Sequence, residues 1–310
     1  MMAKRGRRRR LKRLLWPFEY VLTLLVLGVV RLIPFRAAVC LGGMLGSLVY
    51  KIDKRHQRVI IDNIRQSFKD KTDEEVERIA RSVYTNTGRH AVEFMRPEHY
   101  SQGRLEDHFE FVNFERLENA RARGKGVLLL TAHCGSWEIM ALMQSIKKPP
   151  FSIVVRPLDN PYLEKAVSGI RTRFGNTLIN KTKGMREILR ALGRGDMVGI
   201  LLDQSVARRE GVFVDFFGRP ACTNKGLALL ALKTKAPVVP AFTRRLGLYR
   251  HEIWIGEEMP LIETGDKEAD IAANTQAYTK VIEDFVRKYP EQWFWMHRRW
   301  KTRPEGAPNA

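Results

Sequence analysis

The stretch Gly126-Val127-Leu128-Leu129-Leu130-Thr131 runs without a break into Ala132-His133-Cys134-Gly135-Ser136-Trp137-Glu138, and the apolar residues Ile139, Met140, Leu142, Met143 and Ile146 follow at helical spacing. A short, continuous apolar run bounded by polar residues is the pattern of a buried strand. Similar runs recur at residues 151–155, 197–202, 238–243 and 252–255. Helical stretches separate them, at residues 138–146, 162–174, 185–192 and 223–233. Strands alternating with helices of this length predict an α/β fold, a mixed central sheet flanked by helices.

Working outward, residues 55–68 carry a helical stripe of Val59, Ile60, Ile64 and Phe68. Thr72-Asp73-Glu74-Glu75 has the spacing of a capping box, with Thr72 as N-cap of a helix running to about Met95. A last long helix is expected over residues 269–289. There is no internal repeat and no low-complexity linker, so one α/β domain over residues 51–310 behind an N-terminal segment, residues 1–50, is the simplest organisation.

That segment is basic and then apolar. Lys4, Arg5, Arg7, Arg8, Arg9, Arg10, Lys12 and Arg13 precede an apolar run at residues 14–30 interrupted only by Glu19. Beyond Arg31 and Arg36, residues 37–50 are again uncharged. A basic cluster before an apolar stretch is retained on the cytoplasmic side of a membrane and attracts anionic headgroups. The run predicts a membrane-anchor helix, spanning or steeply inserted. A cleaved signal peptide and a soluble core helix are the competing readings, and no convincing small-x-small cleavage site supports the first.

The whole chain has 310 residues, with 54 Lys and Arg against 34 Asp and Glu, a formal charge of +20. Such an excess calls for anionic partners. An apolar run directly beside the basic tract favours anionic membrane lipid over nucleic acid. Three cysteines, Cys40, Cys134 and Cys222, form no CxxC pair, which excludes a disulfide scaffold and a zinc ribbon. His56, His90, His99, His108, His251 and His297 are scattered without ligand spacing, so no metal is expected.

The chemistry gathers after the first strand quoted above. Five residues along a regular helix turn through about 500°, so His133 and Glu138 could not share one helical face. They meet only if His133 lies in the loop and Glu138 in the first helical turn, with Gly135 as the permissive turn residue and Ser136 as N-cap. Glu138 is then favoured there by the helix dipole and orients the imidazole as a general base. The competing readings are a structural His–acid hydrogen bond and a Cys134 nucleophile with His133 as base. The second is disfavoured because adjacent side chains point apart. Ser136 lacks the G-x-S-x-G elbow.

His133-x4-Glu138 resembles the HX4(D/E) motif of glycerolipid-type acyltransferases. More specifically, the chain resembles the late (lauroyl/myristoyl) lipid A biosynthesis acyltransferases. The blocks that carry the resemblance are Arg171-Thr172-Arg173, Leu202-Asp203-Gln204, Val212-Phe213-Val214-Asp215-Phe216-Phe217-Gly218-Arg219-Pro220-Ala221-Cys222-Thr223 and Pro290-Glu291-Gln292-Trp293-Phe294-Trp295-Met296-His297-Arg298-Arg299-Trp300-Lys301.

The resemblance implies transfer of a fatty acyl chain from acyl carrier protein to a hydroxyl of a lipid A precursor (Kdo-lipid IVA type), with no cofactor beyond the acyl-carrier co-substrate. It places the enzyme at the cytoplasmic face of the bacterial inner membrane. His133 would deprotonate the acceptor hydroxyl and Glu138 would orient the imidazole. Arg171 would face a phosphate or oxyanion and Asp203 would fix that Arg. Arg156 and Lys225 are further substrate-binding candidates, Lys225 beside Thr223 as N-cap of a phosphate-accepting helix start. Trp293, Phe294 and Trp295 with Arg298, Arg299 and Lys301 read equally as core with a basic rim or as a membrane-interface belt. A lysophospholipid or a mannosylated lipid is the alternative acceptor.

Overall fold

A computed structural model describes residues 2–147, 151–182 and 184–306, with side chains from residue 13 onward except 144–147. The side chains of the basic tract up to Lys12 therefore lie outside the described residues. The chain opens with α1 (Met2–Leu32), α2 (Phe35–Ile52), α3 (Lys54–Ser67) and α4 (Asp73–Met95). It continues through β1 (Phe109–Val112), α5 (Phe114–Ala122), β2 (Val127–Thr131), α6 (Trp137–Lys147), β3 (Phe151–Val155), α7 (Pro161–Arg171) and β4 (Thr177–Asn180). Then follow α8 (Met185–Gly193), β5 (Met197–Leu201), β6 (Gly211–Asp215), β7 (Pro220–Asn224), α9 (Gly226–Thr234), β8 (Val238–Arg245), β9 (His251–Ile255) and α10 (Lys267–Lys288).

Seven strands make one sheet in the order β1-β9-β8-β2-β5-β3-β4. Only the β8–β9 pairing is antiparallel; the others are parallel, so the sheet is mixed as expected. Central β2 is buried along its whole length. Its side chains alternate between two apolar layers, Leu128 and Leu130 joining one and Val127 and Leu129 the other. Residues of α3, α4, α8, α9 and α10 cover the first face, while α2, α5 and α6 cover the second. This is why the strands read as uninterrupted apolar runs rather than alternating ones.

The Thr72 capping box is present: Glu75 N–H donates to Thr72 Oγ1 at 3.3 Å, and Thr72 N–H donates to Glu75 Oε2 at 2.9 Å. Helix α2 packs on α4 through glycines. A Cβ on Gly46 would collide with the Tyr84 carbonyl, and one on Gly88 with the Gly42 carbonyl.

Two expectations need correction. The helix read over residues 223–233 begins only at Gly226, because Thr223 belongs to β7 in the β6–β7 hairpin. Its hydroxyl accepts from the buried Arg299 guanidinium instead of capping a helix. Helix α7 stops at Arg171 rather than at residue 174.

Candidate active site

The loop after β2 turns at Gly135, whose φ of +53° is left-handed. A Cβ there would collide with the Thr243 carbonyl, so glycine is required on two counts. The C-terminal block holds the loop from outside: Gly135 N–H donates to the Gln292 carbonyl at 2.8 Å, and Phe294 N–H to the His133 carbonyl at 3.0 Å. His133 lies in this loop and Glu138 in the first turn of α6, as the spacing predicts.

Their partners are exchanged relative to expectation. His133 Nδ1 lies 2.8 Å from Asp203 Oδ1, and His133 N–H donates to Asp203 Oδ2 at 3.0 Å. The Trp293 indole donates to the same Oδ2 at 2.7 Å. Glu138 receives a two-pronged contact from Arg171, Nη2 to Oε1 at 2.5 Å and Nε to Oε2 at 3.0 Å. The carboxylate on the imidazole is thus Asp203, not Glu138, and Arg171 is fixed by Glu138, not Asp203. The sheet is the cause. β2 and β5 are parallel neighbours with Thr131 opposite Leu201, and Leu202 N–H donates to the Thr131 carbonyl, so residues just past both strands converge.

With Nδ1–H directed at Asp203, Nε2 carries the lone pair. It faces the Gln204 amide nitrogen at 3.4 Å. The His133 side chain keeps 20% exposure while Asp203 keeps 2%. Burial alone would push the imidazole down; the Asp203 charge and hydrogen bond outweigh it and hold His133 above its ordinary 6.5. Burial likewise pushes Asp203 up, and the His133 and Trp293 contacts outweigh it, leaving the carboxylate at about 2. Burial drives the Cys134 thiol well above its ordinary value, which disqualifies it as a thiolate nucleophile.

Around the imidazole, Trp137 packs edge-on at 5.1 Å and Phe294 lies at 6.4 Å between ring centroids. His90 packs on Trp137 at a tilt of 38°, with ring centroids 4.2 Å apart, and is held at about 4 chiefly by burial, hence neutral.

Beneath α6 lies a network that the sequence reading did not anticipate. Buried Glu93 accepts from Arg245 (2.7 and 2.6 Å), from Tyr100 (2.8 Å) and from Ser136 (2.7 Å), with His251 Nε2 at 3.0 Å. Ser136 occupies the cap position of α6, yet its hydroxyl points to Glu93. The network joins α4, β8, β9 and the start of the helix that carries Glu138.

Of the remaining candidates, Arg156 is exposed and lies 3.8 Å from Asp159, and Lys225 sits half-buried at the start of α9. Neither joins the His133 cluster. The C-terminal aromatic block is core: Trp293 and Trp295 are fully buried, and Arg299 is buried against Phe216 with its centroid distance at 5.1 Å. Arg298 and Lys301 form the exposed rim.

His133 and Asp203 thus meet just past the carboxyl ends of the parallel strands β2 and β5, the place where open α/β sheets bind ligands, with the Glu138–Arg171 pair contributed by α6 and α7. The family described as bacterial lipid A biosynthesis acyltransferase matches residues 7–302, and the chain belongs to that family. It is 29% identical to a lipid A biosynthesis lauroyltransferase of Escherichia coli (strain K12), over 94% of this chain and 95% of that protein. It is 27% identical to a lipid A biosynthesis acyltransferase of Haemophilus influenzae, over 88% and 85% of the two chains. A lipid A biosynthesis palmitoleoyltransferase of Escherichia coli (strain K12) is 27% identical, over 93% and 94%. Membership makes the protein an acyltransferase, and residues 13–32 and 35–52 form helices long and apolar enough to cross a membrane.

Proposed function

We propose that the protein transfers a fatty acyl chain from acyl carrier protein to a hydroxyl of a phosphorylated, acylated disaccharide, a lipid A precursor (Kdo-lipid IVA type), at the cytoplasmic face of the inner membrane. The observation that carries this reading is the His133–Asp203 pair, with Nδ1 engaged and Nε2 partly open.

In this reading Nε2 takes the proton of the acceptor hydroxyl as its oxygen attacks the thioester carbonyl. Asp203 holds the tautomer and stabilises the imidazolium that forms. The proton then passes from Nε2 to the departing thiolate of the carrier, which restores the neutral base. No acyl-enzyme is needed, since the buried Cys134 and the engaged Ser136 offer no nucleophile. Arg171, fixed by Glu138, supplies positive charge for the tetrahedral oxyanion or an acceptor phosphate.

The chain's net positive charge supports both anionic clients, the acidic carrier and the phosphorylated lipid. The family match over nearly the whole chain favours a lipid A precursor over a lysophospholipid or a mannosylated lipid. Incubating the enzyme with acyl carrier protein charged with a labelled acyl chain, and with each acceptor separately, tests this. Label is expected on the lipid A precursor; label only on a glycerophospholipid contradicts the reading.

A further inference from the structure

Helix α1 is fastened to the folded domain near both ends of its apolar run. Toward its start, the Asn160 amide donates to the Trp16 carbonyl at 3.2 Å and to Glu19 Oε2 at 2.9 Å, and Tyr20 packs on Tyr162 at 5.7 Å. Toward its end, Arg96 Nη1 donates to the Val30 and Ile33 carbonyls at 2.9 and 2.6 Å, and Arg31 lies 4.0 Å from Glu98. Trp16 and Val30 are about 21 Å apart along the helix axis, so most of a membrane-crossing length is tied alongside the domain.

The accessibility pattern agrees. Trp16, Tyr20, Thr23, Leu27 and Val30 recur every three or four residues and are the half-buried positions of the run. On the opposite side Phe18, Leu22, Leu25 and Val29 are exposed. The second apolar helix, α2, offers no return crossing, because its glycine face is locked against α4. A single crossing by α1 would put the basic residues 4–13 and the domain on opposite sides of the bilayer. The basic cluster would then hold the N-terminus on the cytoplasmic side, and the domain would be cut off from a cytoplasmic acyl donor.

We infer that α1 does not cross the membrane but lies in its plane as a strap on the domain. Its Phe18–Leu22–Leu25–Val29 face sits in the apolar layer of one leaflet and residues 4–13 rest on anionic headgroups, so that the N-terminus and the catalytic domain share one side. The inference rests on the proposed membrane-bound, cytoplasm-facing enzyme.

Two experiments on the full-length protein test it. In a Cys40→Ser background, Ala3→Cys and Glu268→Cys (exposed at the start of α10) are treated with a membrane-impermeant maleimide in intact spheroplasts and in inverted vesicles. Both positions are expected to react in inverted vesicles and to be protected in spheroplasts. Reaction of the two in opposite preparations overturns the strap, and reaction of both in intact spheroplasts overturns the cytoplasmic placement.

The double substitution Leu22→Glu with Leu25→Glu is expected to move at least about tenfold more protein into the soluble fraction, while transfer to detergent-dispersed acceptor is unchanged. Unchanged membrane retention overturns the strap. Loss of transfer by the unmodified enzyme in detergent would instead count against the proposed chemistry.

Discussion

At the scale of single residues, the site turns on which carboxylate touches which cation. His133→Ala removes the base and is expected to lower kcat by about 10²–10⁴-fold, measured by steady-state transfer on protein whose folding is checked by circular dichroism. Arg171 acts with the opposite sign on the imidazole, since its charge pulls His133 down while the Asp203 and Glu138 charges pull it up. Arg171→Gln is therefore expected to reduce kcat by about 10²–10³-fold, as for loss of an oxyanion donor. It should also shift the acid limb of the rate profile to higher pH; a downward shift would show that Arg171 does not sit against Glu138 and His133. The placement of His133 and Glu138 is legible in sequence because loop and first helical turn follow from local spacing. The Asp203 contact is not. Seventy positions separate it from His133, and only the register of β2 with β5 brings the two together.

At the scale of elements, local pattern carries a great deal. Central strands betray themselves by continuous apolar runs, and α4 by the Thr72–Glu75 reciprocity. The elements that escape include β1, α5, β4 and the β6–β7 hairpin, all of nine residues or fewer, too short for a periodicity to set them apart. The hairpin turn even places Phe217 at φ +59°, a conformation its side chain gives no reason to expect. Packing between elements yields two predictions. Glu93→Ala leaves the Arg245 guanidinium, 5% exposed, without its countercharge. It is expected to lower stability by about 3–5 kcal/mol, read from denaturant midpoints. Gly88→Ala forces α2 and α4 apart and is expected to cost about 1–3 kcal/mol, checked by thermal unfolding; a stability equal to the parent would contradict the close glycine contact.

At the scale of the whole molecule, the sheet, the C-terminal block and the Glu93 network converge on one loop. The block whose aromatic residues read ambiguously in sequence proves to be interior: Trp293 anchors Asp203, while Gln292 and Phe294 pair with the backbone of the His133 loop. Burial decides this, and burial of an indole cannot be read from its neighbours in the chain. What these layers deliver is a single imidazole held above its ordinary value by Asp203, and it must be neutral to accept a proton. The rate should therefore rise with pH through that raised value. The most direct measurement is the pH dependence of kcat/KM for the parent enzyme beside Asp203→Asn and Glu138→Gln. Asp203→Asn should slow transfer severely and move the acid limb to lower pH, farther than Glu138→Gln does. An acid limb that moves with Glu138→Gln and stays in place with Asp203→Asn would contradict the assignment of Asp203 as the partner of His133.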